Sequence, residues 1–376
     1  MLSVTQILRY ALKNSDEIVK KDIPRFHKNM PPVIVWNITN ECNMTCPHCY
    51  ASAKLKKNND ELGTSEMYKI IDKLSDYGIK IIIFSGGEPL LRDDVFNIIE
   101  YAAKKNIHCH LSSNGVLISK EKAQNLKKSG INYVGVSIDG LSDFNDSYRG
   151  MSGAFLKALE GIKNAANAGL ETGIRITLTD KNSAQLGDML NLAIENNIHR
   201  FYLSHLVYGG RGKAFSKYDV QKIETKNLMN FIFEKSLEYI DNNIPLNIVT
   251  GGNDADGVYL YLYAKENFEE SSANLIYDLL KKRGGNTAGE KLLNIDYKGN
   301  VHPDQFWQTS TCGNLLEKDL SEILENSLIE SLRIRTKFLK GKCKNCDYVE
   351  ICRGSHRERA LAVYNDMWEE DPSCYI

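Results

Sequence analysis

Seven of the nine cysteines in this 376-residue chain fall into two tight groups. Cys42, Cys46 and Cys49 stand as C-x3-C-x2-C within Glu41-Cys42-Asn43-Met44-Thr45-Cys46-Pro47-His48-Cys49-Tyr50. Three thiolates can hold three irons of a cubane and leave the fourth open to a ligand. A zinc ion asks for four ligands when structural, or three and a water when catalytic. His48 adjoins Cys49 and is badly placed to complete the same tetrahedron, so spacing alone leaves cluster and zinc both open. Near the other end, Cys343, Cys346, Cys352 and Cys374 form C-x2-C-x5-C-x21-C. Four thiolates complete one centre, a structural zinc or an iron–sulfur cluster. Cys109 and Cys312 stand apart and read as ordinary buried thiols. An odd count behind an N-terminus without signal-peptide character argues against a disulfide framework.

A second set of residues punctuates the chain between these groups. Ser85-Gly86-Gly87-Glu88-Pro89 pairs two glycines, which let backbone approach a ligand closely, with a carboxylate able to accept from an ammonium group. Ser113-Asn114-Gly115, Ser137-Ile138-Asp139-Gly140, Arg149 and Arg175 follow. His205, His302 and, with less support, His356 are the histidines placed to ligate or to donate a proton.

The elements that must position these residues read as short apolar strands alternating with helical stripes. The strands are expected at Val33–Trp36, Ile79–Phe84, Ile107–Leu111, Tyr133–Ile138, Gly173–Leu178 and Phe201–Leu206. Most lack clean period-two alternation, which suits strands covered on both faces. Helical stripes include Met67, Ile70, Ile71 and Leu74, with Thr64 as N-cap and Gly78 as stop. Strand–helix alternation implies a parallel sheet, and right-handed crossovers curl it toward a barrel. In such folds the site lies at the C-terminal strand ends, where the polar motifs of this chain fall. The chain divides into an N-terminal segment (1–30), a barrel (31–214), a helical connecting region (215–290) and a C-terminal module (291–376). That module carries a hairpin around Lys298-Gly299-Asn300 and a loop-rich tail in need of a stabilising centre.

Composition narrows the function classes. Hydrophobic residues at 42% and charged residues at 25% describe an ordinary globular protein. Lys+Arg at 47 against Asp+Glu at 48 gives a net charge of -1, unlike a protein that grips nucleic acid through a broad basic surface. No apolar run reaches the ~20 residues of a membrane span. A cytoplasmic location without nucleic-acid or membrane partners is expected.

The three-cysteine loop followed one strand later by Gly86-Gly87-Glu88-Pro89 resembles the radical SAM superfamily, over roughly residues 30–210. The resemblance implies an α/β fold, a partial (β/α)6 TIM-like barrel. In it, Cys42, Cys46 and Cys49 carry a [4Fe–4S] cluster whose open iron chelates S-adenosylmethionine (SAM). Gly86, Gly87 and Glu88 would meet the SAM amino group. Ser113 and Asn114 look like the family's Thr-Asn-Gly segment, with Ser for Thr. Ser137 matches a position near the ribose, and Arg149 and Arg175 are candidates for the SAM carboxylate. The implied chemistry is reductive cleavage of SAM to a 5′-deoxyadenosyl radical that abstracts hydrogen, fed by a flavodoxin- or ferredoxin-type reductant. The tail resembles SPASM and twitch modules, so Cys343, Cys346, Cys352 and Cys374 would hold an auxiliary [4Fe–4S] cluster. Asp304 stands where a further cysteine might, so one auxiliary cluster is expected and not two.

Phe201 to Lys213, Thr250 to Tyr259, Gly284-Gly285-Asn286, Asn300 to Trp307 and the ending Glu370 to Tyr375 together resemble the tetrapyrrole-modifying branch of that superfamily. Within it the NirJ-type group of haem d1 biosynthesis is the best match. The implied reaction is removal of propionate side chains from 12,18-didecarboxysiroheme. The sister group, the 12,18-didecarboxysiroheme deacetylases, and the SPASM-type peptide maturases are the alternatives. A large apolar disc with several carboxylates asks for aromatic walls and a few cations. Tyr208, Tyr259, Phe306 and Trp307 are candidate walls, and Arg211, Lys213, Arg357 and Arg359 candidate cations. His205 and His302 are the candidate catalytic residues, as ligands to the substrate iron or as proton donors.

Overall fold

Each expected strand forms within a residue or two of its apolar run in a computed structural model, which describes residues 1–13 and 32–376. The larger part of the expected N-terminal segment, 14–30, lies outside the described residues. The strands are β1 (Leu2–Ser3), β2 (Val33–Asn37), β3 (Ile81–Ser85), β4 (His108–Ser113), β5 (Ile131–Ser137), β6 (Glu171–Leu178), β7 (Arg200–His205), β8 (Asn247–Gly251), β9 (Leu292–Ile295), β10 (Asn300–His302) and β11 (Gly313–Asn314). They form one sheet in the order β1-β8-β7-β6-β5-β4-β3-β2-β9-β10-β11. From β2 to β8 every neighbouring pair is parallel, and β9 adds in parallel to β2. Helices Thr64–Tyr77, Val95–Lys104, Lys120–Lys128, Ala154–Asn167, Leu186–Glu195 and Lys222–Asp241 supply the crossovers, so six strand–helix units make up an open, partial barrel.

Three local readings are corrected. The strands are not covered alike on both faces. Ile34, Trp36, Ile82, Phe84, Phe201 and Leu203 are buried against the helices. The alternate positions, Val35, Ile83, Arg175, Tyr202 and Ser204 among them, line a hollow interior. The alternation was masked because apolar side chains stand on both faces of β2 and β3 while only one face packs as core. Residues 215–290 are not purely helical. Asn247–Gly251 pairs with β7 in parallel and with β1 antiparallel, and Ile248 joins the main apolar core. Helix Thr64–Tyr77 is capped by Gly63 and not by Thr64. Glu66 reaches back to the Gly63 N–H at 2.8 Å, and the Thr64 hydroxyl instead donates to Asp94 at 2.6 Å.

The hairpin forms as read. β9 and β10 pair antiparallel, with Val301 opposite Ile295, and the Asp296 carboxylate accepts from the Lys298 and Asn300 N–H groups in the turn. Because β9 also pairs with β2, the C-terminal module is a direct continuation of the barrel sheet. Among the described residues no helix is long and apolar enough to cross a membrane.

Candidate active site

The loop after β2 brings Cys42, Cys46 and Cys49 onto one wall of a cavity of about 1180 Å³, open to solvent, at the C-terminal ends of the strands. The loop is held from several sides. The Cys42 N–H donates to the Lys54 carbonyl at 2.7 Å and the Thr45 N–H to the Arg149 carbonyl at 3.2 Å. The Arg211 guanidinium donates to the carbonyls of Cys46 (2.9 Å) and Ala53 (2.7 Å). Arg211 thus clamps this loop from the cavity wall through Nε and Nη1. Burial pushes the Cys42 thiol up to about 12 and raises Cys46 as well. Protonated thiols in so apolar a seat are what the chain alone supports, and a bound metal would displace their protons. The Arg149 and Arg211 cations beside Cys46 oppose that rise, which suits a centre of negative charge. Among the described residues no three His, Cys, Asp or Glu side chains close around a single ion point. The three sulfurs instead share a cavity wall, an arrangement with room for a polynuclear cluster.

Arg149 was read as a carboxylate ligand. In the structure it forms a buried ion pair with Asp139, and His48 approaches the same carboxylate at 3.3 Å. Despite its burial, Asp139 is held below the usual carboxylate range by the charges of His48 and Arg149, with the Thr177 N–H adding a hydrogen bond at 2.8 Å. The His48 ring stacks on Tyr148 with centroids 5.0 Å apart. His48, Asp139 and Arg149 therefore tie the cysteine loop to β5 and β6. Arg149 keeps a place on the cavity wall, and its Nε has no protein partner. The sequence placed His48 and Asp139 beside motifs but offered no signal that they meet.

Gly86, Gly87, Ser113, Asn114, Ser137 and Arg175 all line the same cavity. A side chain at Gly87 would strike the Glu41 carbonyl, so the strand-end turn and the cysteine loop pack as two backbones in contact. Glu88 departs from expectation. It is fully buried and turned away from the cavity. Its carboxylate accepts from the Leu90 N–H (3.1 Å), the Asn114 N–H (2.8 Å) and the Ser113 hydroxyl (2.9 Å). It links the loop after β3 to the loop after β4. Asn114 extends the link by donating to Asn43 of the cysteine loop at 2.7 Å. Arg175 donates to Ser112 at 3.2 Å and lies over the Tyr202 ring at 5.0 Å, with no carboxylate partner among the described residues.

The two candidate catalytic histidines separate. His205, at the end of β7, lines the cavity, and its Nε2 meets Asp256 at 3.0 Å. The other Asp256 oxygen accepts from the Tyr375 hydroxyl at 2.7 Å. His302 lines none of the three cavities described here. It is buried in the hairpin, with Nδ1 2.7 Å from the Ser310 carbonyl, and serves that turn. His356 takes its place as a cavity-facing histidine, 3.3 Å from Asp304 and edge-on to Phe306. Of the other wall and cation candidates, Phe306 faces the interior, whereas Trp307 is buried core. Tyr208 is bonded to Asp219 and Ser373, Arg359 is paired with Asp371, and Arg357 donates to the carbonyls of Met367, Glu369 and Gly354.

Cys343, Cys346, Cys352 and Cys374 line one further cavity of about 800 Å³, so the structure unites all four across a 32-residue span of sequence. Cys109 and Cys312 lie in the main apolar core, away from both cysteine cavities. The tail that carries Cys374 is fixed by buried polar contacts: Asn253 donates to the Ser373 carbonyl at 2.9 Å, and Arg359, paired with Asp371 at 2.7 Å, donates to the Leu206 carbonyl of the barrel at 3.0 Å.

The radical SAM superfamily profile matches residues 36–193, and that of the SPASM iron–sulfur cluster-binding domain matches 287–347. Fe-coproporphyrin III synthase of Methanosarcina barkeri is 38% identical over 359 residues, 94% of this chain and 90% of the relative. The chain belongs to the radical SAM superfamily. Pre-heme d1 synthase of Dinoroseobacter shibae is 37% identical over 365 residues, 96% of this chain and 90% of the relative. The crystal structure of Streptococcus suis SuiB bound to S-adenosylmethionine matches with a TM-score of 0.71, covering 92% of this chain and 78% of that one at 19% identity, and shares its fold. As a radical SAM enzyme with a SPASM region, the protein uses SAM, a [4Fe–4S] cluster and auxiliary iron–sulfur chemistry.

Proposed function

We propose that this radical SAM enzyme removes propionate side chains from 12,18-didecarboxysiroheme, a step toward haem d1. The observation that carries this reading is the 37% identity to a pre-heme d1 synthase across 96% of the chain. The hollow barrel supports it by offering room for a large ligand beside the SAM motifs. Deacetylation of the same substrate is the second reading, favoured by the 38% identity to an Fe-coproporphyrin III synthase.

Cys42, Cys46 and Cys49 would hold the cluster that binds SAM, and Cys343, Cys346, Cys352 and Cys374 the auxiliary one. When bound, the cluster and SAM supply the electron and the 5′-deoxyadenosyl radical. The chain's own residues then orient and enclose. Backbone at Gly86 and Gly87 would meet the SAM amino end, Ser113, Asn114 and Ser137 would line its bed, and Arg175 would meet its carboxylate. Glu88 positions these loops from behind, and Arg149 acts on the cysteine loop through Asp139. His205, held by Asp256, delivers or accepts a proton at the cavity wall. A flavodoxin- or ferredoxin-type protein is the proposed reductant.

The test is an anaerobic reaction of the reconstituted protein with SAM, reductant and 12,18-didecarboxysiroheme, followed by mass spectrometry. Loss of propionate-derived mass, with 5′-deoxyadenosine formed, is the expected result. Loss of acetate-derived mass would establish the deacetylase reading instead, and an unchanged macrocycle would overturn both.

A further inference from the structure

Below the SAM-facing cavity the barrel holds a second chamber of about 1210 Å³. Val35, Ile83, Arg175, Tyr202, Gln305 and Phe306 line both, so the two spaces lie side by side and share a wall. Arg200 stands at the start of β7. It lies two residues before Tyr202, which is in register with Arg175, and therefore roughly 7 Å deeper along the strand.

Two arginine–tyrosine stacks are laid flat against this interior. The Arg175 guanidinium covers Tyr202 at 5.0 Å and that of Arg200 covers Tyr133 at 4.8 Å. Glycines on β5 and β6 make room for them. A side chain at Gly173 would collide with the Tyr133 hydroxyl, and a Cβ at Gly135 would stand 2.8 Å from Arg175 Cδ. An interior that spends two strand glycines on seating long side chains is shaped for something other than core packing. Neither guanidinium has a carboxylate partner among the described residues, and the buried Arg200 Nε has no hydrogen-bond partner. Lys291 adds a third cation to the wall of the chamber, its ammonium on the Arg283 carbonyl at 3.4 Å. The carboxylates that do line it, Asp254 and Asp304, are taken by Arg283 at 2.7 Å and by His356 at 3.3 Å. These half-buried cations face the chamber without counter-charges, and a bound anion would supply them.

We propose that this lower chamber is a carboxylate-binding site, in which Arg200 and Lys291 hold acid side chains of the substrate on the edge remote from the radical. Arg200 offers a planar fork that suits bidentate carboxylate recognition, and Tyr133 keeps that fork in place. Ser204, at the cavity rim, is four residues above Arg200, roughly 13 Å along β7. A flat macrocycle standing on edge in the barrel thus presents one rim to SAM and the acid arms of the opposite rim to Arg200. The inference rests on the tetrapyrrole reading and deepens it, since it names the group that sets substrate orientation.

The experiment measures binding to the reconstituted holoprotein of iron coproporphyrin III, a macrocycle with four propionate carboxylates, and of its tetramethyl ester, by Soret titration. Arg200→Gln is expected to weaken the tetra-acid by at least tenfold, Arg200→Lys to recover part of that loss, and the ester to bind the unmutated protein weakly and without response to either change. Iron content and SAM retention serve as folding controls, and Lys291→Gln is the second variant should Arg200→Gln not fold. Equal binding of acid and ester, or a tetra-acid affinity indifferent to both Arg200 and Lys291, would overturn the chamber while leaving the tetrapyrrole reading intact. Failure of the unmutated protein to bind either macrocycle would overturn that reading and the chamber with it.

Discussion

Substituting Glu88 separates a brace from a ligand contact. Its carboxylate is fully buried, and each oxygen accepts a main-chain N–H, Leu90 on one and Asn114 on the other. Glu88→Gln keeps size and shape but turns one acceptor into a donor, so one of those N–H groups loses its partner. An unsatisfied buried donor costs about 1–3 kcal/mol. Both loops carry proposed SAM contacts, Gly86–Gly87 on one side and Ser113–Asn114 on the other. If about 1–2 kcal/mol of that cost appears as loop misplacement, SAM affinity falls about 5- to 30-fold. Ser113→Ala removes the third donor and leaves the Gly115 N–H without its 2.9 Å acceptor, so it should reproduce part of the loss. Equilibrium binding of SAM to anaerobically reconstituted protein measures both variants, with iron content confirming that the cysteine loop still assembles. A Glu88→Gln affinity within twofold of the unmutated protein would refute the brace. A large loss in Glu88→Gln beside an unaffected Ser113→Ala would point back to direct contact between Glu88 and the SAM ammonium.

Two further outcomes follow from the same geometry. His205→Ala should lower product formation by about 100-fold, the scale of a lost proton donor, while His302→Ala should leave turnover intact and cost about 1 kcal/mol of stability; equal effects on turnover would contradict the separation of the two histidines. Glu358 is buried, and burial together with the Asp304 charge raises it to about 8 from the ordinary 4.5. The folded state therefore holds this proton more tightly than the unfolded chain. Its stabilising contribution is full below about pH 4.5 and is lost as pH rises through about 8, at up to about 1.4 kcal/mol per pH unit. Anaerobic urea unfolding between about pH 6 and 8 should show that decline. Glu358→Gln should flatten it, and an unchanged slope would exclude Glu358 as the source.

The tetrapyrrole-like segments gain a physical meaning that is only partly about substrate. Gly209 to Lys213 includes the arginine that clamps the cysteine loop, and Asn253 to Asp256 ties the C-terminal tail and His205 to the barrel. Segments that read as ligand-facing thus join the two cysteine-bearing regions into one body. Arg357 and Arg359 belong to the same fastening. Arg175 and Arg200, by contrast, face the barrel interior and stack on Tyr202 and Tyr133 with no carboxylate partner among the described residues.

What the sequence determined by itself was the local chemistry. Cysteine spacing, the Gly86-Gly87 turn and the short apolar strands are contiguous features, and propensity and spacing act over a few residues. The six strands from Val33 to Leu206 and the hairpin around Gly299 were legible for that reason. Only the tertiary structure decided which distant groups meet. The distinction between His205 and His302, the turning of Glu88 away from the cavity, the pairing of Arg149 with Asp139 and the strand at Asn247–Gly251 all depend on partners brought from elsewhere in the chain. Burial sets the worth of each charge, and burial is a property of the assembled barrel. The same residue type, arginine, fastens the chain where the fold brings it a carboxylate or a row of carbonyls, as at Arg359 and Arg357, and faces an open interior where it does not, as at Arg200.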